Sequence, residues 1–431
     1  MPDTRFTCPL AEELAGDVLA RFLRYARIDT QAAHDTDTYP STAKQLDLSR
    51  LLVDELGEIG LSDVVLSEHG YVLATLPGTV SAAPVVALIA HVDTTPDAPG
   101  TGVLPIVHER WNGRPIVLPG DRHQVLDPEE LPELTTRVGH DLVTSDGTTL
   151  LGADDKAGVA EIVAAVAHLA GDDRPRAAAR IVFTVDEEVG YGTEHLDLDV
   201  VGADVAYTLD GSGLGEIEVE SFSAYQVRVA IEGVGVHPGA AKDRLVNAVK
   251  LAADLVASLP AERLSPETTE GRQGFVHPTR IAGHAAYATV WFIVRDHDDA
   301  LLEEHLALLR GLVDALRARE PRARIEFEVA EQYRNMGRAL DEHPDAVSMA
   351  DLAIRRVGVE PVHTIIRGGT DGARLTERGL PTPNLFTGGQ LYHSVREWAS
   401  LQDMAAAAAT VVELVRLWGE RSGPAPRRVA D

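Results

Sequence analysis

At 431 residues, with 45% hydrophobic and 25% charged residues, the chain has ordinary globular composition and the length for two or three domains of about 150 residues each. Its 39 basic and 67 acidic residues give a formal net charge of −28, which repels nucleic acid and anionic membrane surfaces and argues against both as partners. The single cysteine, Cys8, has no partner for an internal disulfide, so the fold does not depend on an oxidising compartment.

The N-terminus mixes charges early and has no apolar signal core. The most apolar runs, 80–90 and 404–412, fall well short of the ~20 residues needed to cross a bilayer. Both features point to the cytoplasm. Residues 14–58 predict two helices: Val18, Leu19, Phe22, Leu23 and Tyr25 recur at helical spacing, and Ser41 is a candidate cap for the second. Short apolar runs then end repeatedly in turn residues. They are 85–90 before HVDTTPDAPG, 180–185 before DEEVGYG, 205–209 before DGSG, 363–366 before RGGTDG and 383–386 before TGGQLYH. Helical stretches such as 157–169 lie between several of them. Buried strands alternating with helices define an α/β fold with a mixed, at least partly parallel sheet.

Residues 222–333 have a different texture. Strand-like 224–231, helical 244–259, strand-like 280–295, helical 300–319 and alternating 324–331 spell βαββαβ, a small α+β, ferredoxin-like layer pair. It interrupts the larger sheet, so the expected organisation is a discontinuous catalytic domain, 1–221 and 334–431, with 222–333 inserted as a lid. Residues 420–431 read as a frayed tail.

In open α/β sheets, ligands bind beyond the carboxyl ends of the strands. Here those ends are rich in metal-ligand residue types. His91 and Asp93, two apart in extended chain, share a face; taken alone, a strand-end turn with a solvated acid describes them better. Asp154 and Asp155 precede a helix, where one Asp would serve as a cap but two are not required. Asp186, Glu187 and Glu188 follow the buried Ile181-Val182-Phe183, and three adjacent acids repel unless a cation joins them. Asp210 and His393 sit in turns where either could be unremarkable. Together, two histidines and several carboxylates match what zinc accepts. One cysteine rules out a thiolate-rich structural site, and two imidazoles argue against calcium, which prefers all-oxygen shells. The balance suits a pair of metals sharing a bridging acid.

The strings HVDTTPD, SDGTTLLGADDKAGVAEI, FTVDEEVG, AYTLDG, VHPG, IRGGTDGA and PNLFTGG…YH, in order over residues 14–418, resemble the two-zinc metallopeptidase family of zinc-exopeptidase fold. Its members include aminoacylases, carboxypeptidases, succinyl-diaminopimelate desuccinylase and, nearest in motif, the tripeptide aminopeptidases. The resemblance implies a metal-dependent enzyme that hydrolyses the N-terminal residue from tripeptides. It implies two Zn2+ per subunit, with Co2+ or Mn2+ as alternatives, and a monomer or homodimer acting on small peptides.

Carried across by motif, His91 and Asp210 would hold one zinc, Glu188 and His393 the other, with Asp154 bridging. Asp93 would orient His91, Glu187 would be the general base, and His237 would stabilise the oxyanion. Arg295 and Arg367 are candidates to grip the peptide carboxylate, each equally able to form a structural ion pair, and Asn335 resembles a substrate contact. DGSG and QLYHSVREW depart slightly from the family pattern without disturbing a matched ligand. The alternatives are a dipeptidase, carboxypeptidase or N-acyl-amino-acid deacylase of the same family, or a non-catalytic binding protein on that fold.

Overall fold

The computed structural model describes residues 5–34 and 36–421, so all but the start of the expected tail lies outside the described residues. Two compact units are present. One consists of Glu220–Gly337 with Ile365–Gly369, and the other of the remaining described chain.

The larger unit is built on an eight-stranded sheet. Its order from edge to edge is Ser62–Leu66, Val72–Leu76, Ala179–Thr184, Val86–His91, Val205–Gly211, Asn384–Phe386, Glu216–Ser221 and Val362–Ile366. The four central strands, from Ala179–Thr184 to Asn384–Phe386, run parallel, and antiparallel partners flank them. Strand Val86–His91 is buried throughout, which explains its unbroken apolar sequence.

Helix Ala153–Ala170 packs on the strands Val86–His91 and Val205–Gly211 and against helices Pro9–Tyr25 and Leu401–Glu420. The apolar run 404–412 is therefore the middle of a core helix, buried on all sides. No helix among the described residues is long and apolar enough to cross a membrane.

The first two helices span Pro9–Tyr25 and Gln45–Ile59. Ser41 does not cap the second. Lys44 occupies the cap position without a side-chain bond, and Ser41 turns instead to the Asp186 carboxylate. Residues between 100 and 150, for which the sequence pattern defines no element, supply short strands. Ile106–His108 and Leu142–Thr144 join Trp398–Ser400 and Gly389–Gln390 in a four-stranded sheet.

The smaller unit follows the βαββαβ order, with strands Phe275–His284, Tyr287–Asp296, Ser223–Glu232 and Arg324–Tyr333 side by side and antiparallel. Val227, Val229, Ile231, Val290, Phe292 and Val294 alternate onto one face. There they form a core with Leu251, Leu255, Leu302, Leu309 and Val313 of helices Ala248–Ala257 and Asp299–Arg319.

Candidate active site

The central strands deliver acids and imidazoles to their carboxyl ends. His91 closes its strand opposite Thr184, which sets it beside the Asp186-Glu187-Glu188 turn. On the other side the register between Val205–Gly211 and Asn384–Phe386 slips, with Leu209 facing Leu385 and Gly211 facing Phe386. Asp210 is the extra residue, and a bulge of this kind re-aims the side chain it carries. His393 arrives on the connection between Gly389–Gln390 and Trp398–Ser400, held in a left-handed backbone conformation at φ 59°.

Asp154 lies between the two histidines. Its Oδ1 is 2.9 Å from Nε2 of His91, and its Oδ2 is 3.3 Å from Nε2 of His393. His91 Nε2 is also 3.5 Å from Asp210 Oδ1, and His393 Nε2 is 2.8 Å from Glu188 Oε2. Ligand atoms converge within 4.8 Å in two groups, His91–Asp154–Glu188 and His91–Glu187–Asp210. The second Glu188 oxygen, Oε1, is buried with no hydrogen-bond partner. Imidazole nitrogen, carboxylate oxygen and an orphaned buried oxygen are a donor set that fits divalent metal.

The electrostatics express the crowding. Burial raises the Asp210 carboxyl to about 7 and Glu188 to about 8, with the Asp154 charge adding to both. Glu187 is raised well above the carboxylate range by burial. Burial would raise Asp154 as well, but hydrogen bonds from His393 and His91 hold it far down. Burial disfavours the charged imidazole of His393, yet Asp154 and Glu188 lift it to about 11.

A scaffold of buried polar groups fixes these side chains. Asp93 Oδ1 is 3.3 Å from His91 Nδ1, and the same carboxylate accepts the backbone N–H groups of Glu187 at 3.1 Å and Glu188 at 3.2 Å. Asp155 accepts the His91 N–H at 3.1 Å and the Gly158 N–H at 3.2 Å, so it caps the helix while Asp154 turns into the site. A Cβ at Gly158 would lie 2.1 Å from the Leu209 carbonyl oxygen, so only glycine lets the helix approach the Asp210 strand this closely.

Three supporting elements have no counterpart in the sequence expectations. Glu397 is 1% exposed and accepts the N–H groups of Leu151 and Gly152 at 2.7 Å and of Asp154 at 3.0 Å. Gln45 donates to Asp186 Oδ1 at 2.6 Å and accepts the Asp186 N–H at 3.1 Å, while Ser41 donates to the same carboxylate. Asn384 accepts the Asp210 N–H at 3.0 Å and donates to Glu218, whose carboxyl burial raises to about 8. The available signals were HSVRE, four residues past the last histidine, and Gln45 in the stretch otherwise expected to begin a helix.

The smaller unit carries the remaining expected residues. His237 is exposed, and its Nδ1 accepts the Gly239 N–H at 3.1 Å, which leaves Nε2 as the protonated donor. Arg295 has a buried Nε without a hydrogen-bond partner. Arg367 and Asn335 are hydrogen-bonded within their own unit. Arg367 donates to Gly271 O at 2.7 Å, Gln273 O at 2.9 Å and Thr269 Oγ1 at 2.9 Å, beneath the rings of Phe222 and Phe275. Asn335 donates to His297 O at 3.0 Å and accepts the Gly337 N–H at 2.8 Å.

A mixed α/β sheet with this site and an interrupting α+β unit defines a peptidase of the exopeptidase type. Residues 219–321 match the peptidase dimerisation domain. A tripeptidase of Staphylococcus aureus shares the fold, with a TM-score of 0.74 at 22% identity over 94% of this chain and 99% of that one. A dinuclear metal-binding peptidase of Bacillus subtilis does so with a TM-score of 0.63 at 16% identity, over 95% and 99%. A peptidase T of Geobacillus thermodenitrificans is 41% identical over 408 residues, covering 94% of this chain and 99% of that protein. The chain belongs to the peptidase T family.

Proposed function

We propose that this enzyme is a metal-dependent aminopeptidase that releases the N-terminal residue of tripeptides at a two-cation site. The observation that carries it is Asp154, which turns one oxygen to each of two histidines at the ends of parallel strands. His91 and Asp210 would hold one cation, His393 and Glu188 the other, and Asp154 would bridge. Zinc is the cation this mixture favours, and cobalt or manganese suits the same donors. When bound, such a pair acidifies an attacking water and polarises the scissile carbonyl.

The protein's own residues do the rest. Glu187 takes a proton from the water at one carboxylate oxygen and returns it to the nitrogen of the departing dipeptide. Its backbone N–H is tied to Asp93, which holds the residue beside Glu188, and its carboxylate converges with His91 and Asp210. Asp93 fixes the ring of His91. His237, with Nε2 as donor, stabilises the negative oxygen that forms on the substrate carbonyl. Arg295, whose Nε has no internal acceptor, pairs with the peptide carboxylate.

Segments 1–221 and 334–431 form the catalytic domain in this account, and 222–333 the lid. The match of 219–321 to a peptidase dimerisation domain favours a homodimer. The lone cysteine, which leaves the fold independent of an oxidising compartment, favours the cytoplasm.

The test incubates metal-stripped and zinc-reconstituted enzyme with a tripeptide, its matching dipeptide and the N-acetylated tripeptide, with products identified by mass spectrometry. Zinc-dependent release of only the free N-terminal residue of the tripeptide is expected. Cleavage of the dipeptide, of the C-terminal bond or of the acetyl group would replace the proposal with a dipeptidase, carboxypeptidase or deacylase.

A further inference from the structure

An aminopeptidase must recognise a positive charge very close to its metal ligands. The α-amine lies two bonds from the scissile carbonyl carbon, roughly 2.5 Å away from standard bond lengths. A residue that binds this amine therefore has to border the ligand set while remaining outside it. Few acids at this site meet both conditions. Asp154, Glu188 and Asp210 are ligand candidates, and Glu187 is the proposed base. Asp93 and Asp155 are filled by backbone N–H groups. Asp186 is closed by Ser41 and Gln45, and Asp371 accepts the Thr184 hydroxyl at 2.7 Å. Glu216 binds the Gly213 N–H at 2.9 Å.

Asp97, 3.7 Å from His393 Nδ1, is largely exposed; Glu218 alone among these acids is both mostly buried and joined to a ligand residue through a shared amide. It stands directly opposite Asn384 in the sheet, so the two side chains share a face. Asn384 joins it to the ligand set: the amide oxygen takes the Asp210 N–H at 3.0 Å, and the amide nitrogen donates to Glu218 Oε2. That donation orients the carboxylate and leaves Oε1 with no hydrogen bond among the described residues. The side chain retains some exposure, and the charges of Asp210 and Asp154 both reach it.

We propose that Glu218, oriented by Asn384, binds the protonated α-amine of the substrate and so restricts this enzyme to peptides with a free N-terminus. The open oxygen accepts the charge-assisted hydrogen bond. The proposal rests on the aminopeptidase assignment, and its test separates the two.

The experiment compares trialanine with its des-amino analogue, N-propionyl-dialanine, in zinc-reconstituted wild type, Glu218→Gln and Glu218→Asp. The readout is the ratio of kcat/KM for trialanine to that for the analogue. Where the analogue turns over too slowly, its inhibition constant is set against the KM of trialanine. Glu218→Gln preserves shape and should reduce the ratio on the order of 30-fold or more, as expected for removing one member of a close charge pair. Glu218→Asp keeps the charge and should fall between. A ratio within about 3-fold of wild type in both variants overturns the role of Glu218, as does an equal loss on both substrates, which marks structural damage. A wild type that does not distinguish the two substrates overturns the aminopeptidase assignment itself.

Discussion

The buried carboxylate of Glu397 accepts the backbone N–H of Asp154 at 3.0 Å, so the loop that carries His393 also fixes the residue set between the two histidines. Glu397 takes two further N–H groups from Leu151 and Gly152. Replacing one oxygen by an amide NH2 turns a donor toward donors. Glu397→Gln should therefore weaken zinc binding by ~10–100-fold, as outer partners of metal ligands do. Competition against a graded series of chelators measures this without reference to turnover. Wild-type affinity in the variant would mean that the loop holds its shape unaided.

Asp93 unites three groups, the ring of His91 and the backbones of Glu187 and Glu188. In Asp93→Asn, one of these contacts must meet an NH2 group. Both zinc occupancy and turnover should fall, each by about 10-fold or more. Metal content and kcat measured on the same preparation decide it. Full occupancy with a reduced kcat would confine Asp93 to the Glu187 turn.

Glu187→Ala separates the base from the ligands. The backbone N–H bond to Asp93 survives the truncation, so the turn and Glu188 remain in place. The zinc-reconstituted variant should keep the metal content of reconstituted wild type while kcat falls ~10²–10⁴-fold. Near-normal turnover would remove Glu187 from the mechanism.

Much of the fold was visible in residue order because each central strand is an unbroken apolar run closed by chemistry-bearing residues. HVD, DEE and DG follow such runs, and the structure sets all three at the carboxyl ends of adjacent parallel strands. Asp154 with Asp155 was ambiguous, since either acid could cap the helix. Asp155 takes the cap and Asp154 the site, a division made by backbone angles at the helix entry. Gln45, Asn384, Glu218 and Glu397 carry no such local signal, for a common reason. Their roles lie in hydrogen bonds spanning 141, 174, 166 and 243 residues of chain, and no local pattern encodes such pairings. Ser41 shows the converse, a local cap signal overridden by a distant carboxylate. The short strands between 100 and 150 offered two or three residues each, too few for periodicity to register.

The two arginines of the smaller unit should separate cleanly. Arg367 spends both terminal nitrogens on the 269–273 loop and lies against Phe222 and Phe275, so its guanidinium is a staple. Arg367→Ala removes bonds that are partly open to water and should cost about 0.5–1.5 kcal/mol of stability. Its preference for free-acid over amidated tripeptides should stay as in wild type. Among the described residues, Arg295 has no acceptor for its buried Nε and makes no comparable set of bonds to a loop, so it is the proposed carboxylate partner. Arg295→Ala should erase the free-acid preference mainly through KM, since the carboxylate is bound equally before and during bond cleavage. Thermal unfolding and paired kinetics on a tripeptide and its C-terminal amide give both readouts. A lost preference in Arg367→Ala with Arg295→Ala unaffected would exchange their roles, and the loop would then have to release Arg367 when substrate binds.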